Sequence, residues 1–169
     1  MTWDERFAAV EADLALQADG ESQTERDRAI EDLAVERSAT VSWVDRCLGR
    51  EVVLRVVAVG AVRGELAIAT ADWLLLHHDA TTDWVVAVDQ VLGVTAGSAV
   101  PRATRSEVQR RMTWRQAWSA FVRDRDAVVA LLVDGSTVRG VPSRAGSDYV
   151  EIAGELVPYA AVSAIRCPR

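Results

Sequence analysis

One pattern occurs twice in the chain. Arg63-Gly64 is followed by seven residues, then by Asp72-Trp73 and the apolar run Leu74-Leu75-Leu76. Arg139-Gly140 is followed by seven residues, then by Asp148-Tyr149 and Val150-Glu151-Ile152. The match extends both ways. Val52 to Val57 answers Val128 to Val133, Trp43 answers Trp118, and Ser38 answers Thr113, each of the last two at a helix N-cap position. Downstream, Val86 to Val94 answers Val157 to Ile165. Self-similarity in a fixed order constrains a fold more tightly than local propensity, because both copies must suit one architecture. The unit covers about residues 38–95 and 113–167.

Each unit reads as a short helix followed by several strands. Val41, Val44 and Leu48 share one helix face before Gly49, a C-cap residue. Strands are expected at 51–58, 62–69, 72–77, 84–88 and 91–95, with a turn at Gly60-Ala61 and a loop at 78–83. In the second copy Thr113-Trp114-Arg115-Gln116 is a capping box opening a helix at 114–123. Strands follow at 126–133, 137–143, 147–152, 155–159 and 162–166, with a tight turn at Asp134-Gly135. Pro142 inside a strand implies an edge or a bulge.

The organisation expected is a helical arm at 1–37, a helix-plus-strands unit at 38–95, a linker and basic helix at 96–112, and a second unit at 113–169. In the arm, Trp3, Phe7, Val10 and Leu14 recur at helical spacing. Such an arm either mediates self-association or lies against the strands. No apolar run approaches the roughly 20 residues of a membrane span. The acidic start lacks the basic and apolar regions of a signal peptide, so a cytoplasmic location is expected.

Charge is unevenly spread. Residues 1–37 hold four Arg and eleven acids, whereas residues 101–125 hold seven Arg and two acids. All 19 basic residues are Arg, and the net charge is −6. Arg105, Arg110, Arg111 and Arg115, with Trp114 among them, have the composition of a nucleic-acid contact. They equally suit a solvated helix face or a partner for the acidic arm.

Few residues carry chemistry. His77 and His78 are neighbours on a strand and point to opposite faces, which suits strand-end histidines better than shared ligation. Cys47 and Cys167 lack metal-ligand spacing and read as buried free thiols. No nucleophile elbow or phosphate loop occurs, so an enzyme, a cofactor, a metal or a small-molecule substrate is not expected. Asp72 and Asp148 stand at matched turns, where a short carboxylate either caps the turn or meets a ligand.

A short helix and about five strands in some 55 residues, with Gly60 and Gly64 or Gly135 and Gly140 ahead of Asp72 or Asp148, resemble a small SH3-like barrel of the Sm-like type. The whole chain also resembles a family from high-GC bacteria that carries a Fis-type transcriptional-regulator label. The resemblance implies a mainly β (α+β) fold of two tandem Sm-like/SH3-like barrels, each preceded by a short helix, plus the N-terminal amphipathic arm. Asn, usual after the Asp in members that read uridine, is absent from Trp73 to Leu76 and from Tyr149 to Ile152. A non-catalytic protein-interaction or scaffold protein, binding a protein partner or itself, is therefore expected. The alternative is an RNA- or DNA-binding regulator using the central Arg cluster.

Overall fold

The computed structural model describes residues 42–97 and 111–168. The arm with Trp3, Phe7, Val10 and Leu14, and the basic stretch through Arg110, lie outside the described residues. The fold is mainly β. Helix α1 (Trp43–Cys47) leads into β1 (Glu51–Val56), β2 (Gly60–Ala69), β3 (Trp73–His77) and β4 (Thr82–Ala87). A 3-10 turn at Val88–Gln90 then feeds β5 (Val91–Ala96). Helix α2 (Trp114–Asp124) leads into β6 (Val128–Leu132), β7 (Thr137–Gly140), β8 (Pro142–Ala145), β9 (Tyr149–Ile152) and β10 (Glu155–Pro158). A second 3-10 turn, Tyr159–Ala161, feeds β11 (Val162–Pro168).

The strands form two antiparallel sheets among the described residues. Eight strands run in the order β5-β1-β2-β3-β4-β11-β6-β7, and three in the order β10-β9-β8. The large sheet is open. Its halves are joined by β4 and β11, with Val85 opposite Ile165 and Val86 opposite Ala164. The strand expected at 137–143 divides at Val141, and the β8–β9 register shifts between Pro142 and Arg144. Proline has no N–H to give a ladder, so the chain bends where it occurs. The turn expected at Gly60-Ala61 falls earlier, at residues 57–59, where the Val59 amide donates to the Val56 carbonyl at 3.3 Å.

Two apolar cores explain the order. The first gathers Val44, Cys47 and Leu48 from the α1 region with Val52, Leu54, Leu66, Leu74, Leu76 and Val86. The second gathers Ala117 and Trp118 of α2 with Val128, Ala130, Val150, Ile152, Val157 and Ile165. Trp73 and Val85 also belong to the second core, and Leu75 packs against it. Side chains alternate across a strand. Hence β3 and β4 send Leu74, Leu76 and Val86 one way and Trp73, Leu75 and Val85 the other. The unbroken run Trp73-Leu74-Leu75-Leu76 is that of a strand covered on both faces.

Helix α2 is held by its tryptophan, and α1 by Val44 and Cys47. Trp118 is fully buried, 6.4 Å from Trp114 and 5.8 Å, edge-on, from Phe121 between ring centroids. An indole of that size hides roughly 150–250 Å², about 4–6 kcal/mol of apolar transfer before entropy is charged. Trp43 is only partly buried against the first core. The expected capping box opens α2: the Thr113 amide donates to Gln116 Oε1 at 2.8 Å. The glycines of the repeated Arg-Gly pair have a packing reason. A Cβ on Gly64 would lie 2.5 Å from the His77 carbonyl oxygen, and one on Gly140 would lie 3.3 Å from Ile152 Cγ2. At Gly64 the neighbouring backbone leaves no room for a side chain, whereas at Gly140 the contact is only tight and the φ of +155° is what disfavours other residues.

Candidate interaction surfaces

The matched aspartates sit on matched loops. The Asp72 carbonyl accepts from the Val88 amide at 2.9 Å, and the Asp148 carbonyl from the Tyr159 amide at 2.8 Å. Each bond ties the loop ahead of β3 or β9 to the 3-10 turn ahead of β5 or β11. The turn before β3 is capped by Thr70, in place of the expected Asp72 carboxylate. Thr70 Oγ1 accepts from the amides of Asp72 and Trp73 at 3.1 and 2.9 Å, and donates to the Trp73 carbonyl. The hydroxyl is closer to those amides than an outward carboxylate, and it is buried, so water does not compete. In the second loop Ser147 Oγ donates to Asp148 Oδ1 at 3.1 Å.

A cleft of about 610 Å³ opens where these loops meet α2. Asp72, Asp89, Trp114, Arg115, Ser147 and Tyr159 are among its walls. Two of the residues expected at a nucleic-acid contact, Trp114 and Arg115, are thus beside Asp72. Arg111 is exposed near the start of α2 and does not line the cleft. Arg105 and Arg110 lie outside the described residues. Tyr159 Oη donates to the Gly146 carbonyl at 2.9 Å. Burial pushes this phenol up, with Arg115 pulling it back. With two carboxylates and one guanidinium on its walls, the cleft offers no net positive field to a phosphate.

A second, smaller cavity of about 220 Å³ lies under α2, walled by Trp73, Val85, Ala117, Phe121 and Cys167 among others. Among the described residues the indole nitrogens of Trp73 and Trp118 have no hydrogen-bond partner.

The histidines separate, as alternation requires. His77 Nδ1–H donates to Asp83 Oδ1 at 2.9 Å, and His78 Nδ1–H donates to the Arg63 carbonyl at 2.7 Å. Cys47 and Cys167 are free and buried. Desolvation, joined by Asp83 and Asp126, pushes the Cys167 thiol up to about 12. Desolvation also raises Cys47, with Arg50 and Arg46 opposing it. Among the described residues no three His, Cys, Asp or Glu side chains gather as a metal site, and no helix is long and apolar enough to cross a membrane.

Sequence reasoning expects the arm and the barrel edges to meet a partner, but it names no residue on an outer strand edge. Within the described residues, β5 and β10 each pair on one side only. Each carries a large exposed apolar side chain, Leu92 at 64% and Leu156 at 61%. Most of the other large apolar side chains are buried or partly buried, so leucines this exposed on unpaired edges mark places of contact. A signal existed: Leu92 aligns with Ser163, and β5 (Val91 to Ala96) contains no charged residue. A solvent-facing edge strand ordinarily carries charge.

A scan against known protein families matches none of them, and a search of curated proteins finds no similar sequence.

Proposed function

We propose that the chain is a non-catalytic, cytoplasmic protein-interaction protein, built on two tandem Sm-like units, that binds another protein chain through its outer strand edges. Support for the tandem reading comes from strand order. The first half runs β5-β1-β2-β3-β4. The second runs β11-β6-β7, continuing through β8 to β9 and β10. Counting β7 and β8 as one strand broken at Val141, each half follows the sequence fifth, first, second, third, fourth. Each half also begins with a helix carrying a core-facing tryptophan.

The observation that carries the functional reading is the pairing of β4 with β11. It consumes one edge of each half and leaves β5 and β10, with their exposed leucines, for another chain. An extended strand laid on such an edge gains main-chain hydrogen bonds, and its side chains set specificity.

The test is the double variant Leu92→Lys/Leu156→Lys. Both side chains are exposed, so the fold should be unaffected. The wild type is expected to associate with itself or with a co-purifying protein, and the variant to lose that association at unchanged thermal stability. A wild type that associates with no protein overturns the reading.

The second reading is nucleic-acid binding by Arg105, Arg110, Arg111, Arg115 and Trp114. It draws on Trp114 and Arg115 sharing one cleft, and Asp72 and Asp89 in the same cleft oppose it. Fluorescence anisotropy with labelled single-stranded RNA and duplex DNA separates the two. Micromolar binding that weakens steeply with salt, and is abolished by alanine at Arg110, Arg111 and Arg115, would put this reading first.

A further inference from the structure

We propose that the cavity of about 220 Å³ beneath α2 binds a small, uncharged, mainly apolar molecule whose one carbonyl oxygen accepts from the indole N–H of Trp73. The site lies where the two halves of the chain meet. Strands β3 and β4 of the first half supply Trp73, Leu75 and Val85; the second half supplies Phe121 of α2, Cys167 of β11 and Met112 just ahead of α2. These side chains make a largely apolar wall. The cavity also borders the exposed Gln116 and Pro168, so it reaches solvent. An apolar cavity of roughly 150 Å³ is enough for benzene, so this one admits a body of about ten non-hydrogen atoms. The site is separate from the outer edges of β5 and β10 and does not depend on the edge-binding reading.

Two independent observations define the ligand. The first is an unpaired donor. Trp73 is 4% exposed, and its Nε1 has no hydrogen-bond partner among the described residues. A buried N–H is costly to leave unpaired, and nearly all such groups in folded proteins find an acceptor. The indole of Trp118 is unpaired too, but Trp118 does not line the cavity; among the described walls Trp73 alone carries such a group. The second observation is charge. Among the described residues Asp83 is the one charged side chain on the walls, and it accepts from His77 Nδ1–H at 2.9 Å. An anion would meet no cation there and would face a carboxylate, so a neutral ketone fits and an ionised fatty acid does not. Desolvation, the main cause that pushes the Cys167 thiol up to about 12, marks the same wall as low in polarity. The wall residues are scattered from Trp73 to Pro168, so no short motif announces the site.

The probe is acetophenone. Two molecules of similar size and shape accompany it: α-methylstyrene, in which a methylene replaces the carbonyl oxygen, and benzoate, which adds a negative charge. The readout is the indole N–H resonance of Trp73 in the isotope-labelled full chain, assigned by its loss in Trp73→Phe. Acetophenone is expected to move it downfield, saturably, at millimolar concentration or below, as an acceptor does to the N–H it binds. α-Methylstyrene is expected to give no downfield shift, and benzoate to bind at least about tenfold more weakly. Ala120→Leu extends a side chain from the cavity wall and is expected to abolish the acetophenone shift at an unchanged unfolding midpoint. The comparison of the three molecules uses the unaltered chain, so the test stands even where the cavity-filling variant misfolds. No movement of Trp73 up to the solubility of acetophenone would overturn the proposal. So would an equal shift with α-methylstyrene or benzoate, or a shift that persists in folded Ala120→Leu.

Discussion

β3–β4 and β9–β10 occupy the same place in their respective halves and have different surroundings. In β3 the run Trp73-Leu74-Leu75-Leu76 is covered on one face by the first core and on the other by the second. In β9 the sequence Tyr149-Val150-Glu151-Ile152 alternates, with Val150 and Ile152 fully buried and Tyr149 and Glu151 half-buried. The same contrast separates Val85 of β4 from Leu156 of β10. A strand's hydrogen-bonding position does not determine its composition. What covers its second face does, and at β3–β4 the other half of the chain supplies that cover.

The sharpest way to break this comparison is to place one change at both positions. Val85→Asp inserts a carboxylate between two cores, and a loss of more than about 4 kcal/mol, or of folding altogether, is expected. Leu156→Asp, its counterpart, should change monomer stability by no more than about 0.5 kcal/mol in urea unfolding. Equal effects would mean that the β4–β11 joint is not what buries Val85. The tryptophans sharpen the same contrast. Trp118→Ala should lose about 3–5 kcal/mol, and the partly buried Trp43→Ala about 1–2 kcal/mol, by the same measurement.

The smallest effect concerns pH. The Cys167 thiol ionises near its ordinary value of 9.0 when unfolded and at about 12 when folded. The folded chain therefore holds this proton longer. The associated stability is complete below pH 9 and is lost as pH rises toward 12, by at most about 1.4 kcal/mol per pH unit. Cys167→Ala should flatten that decline in chemical unfolding between pH 8 and 10. An unchanged slope would place the titration elsewhere.

Much of the local structure is legible in the residues. The capping box at Thr113 and Gln116, the Asp134-Gly135 turn and the break around Pro142 each follow from chemistry within a few residues, and each occurs near its expected position. At Asp134-Gly135 the carboxylate accepts from the Ser136 amide and hydroxyl at 2.9 and 2.6 Å. Legibility fails where a distant element intervenes. Thr70, and not Asp72, caps the turn before β3, because burial decides which side-chain oxygen meets the amides. Nothing within a few residues of Leu92 or Leu156 marks either as exposed, because exposure depends on which strands pair.

Repetition and period alone placed two helices and most strand segments near their observed positions, because φ/ψ preference and capping act over a few residues. Which edges pair was decided by the tertiary structure. Every strand presents the same N–H and C=O groups along its edge, so local sequence does not name a partner. The choice of β4 for β11 comes from side chains far apart in sequence, Trp73, Val85 and Ile165, that leave water together only when the two halves meet.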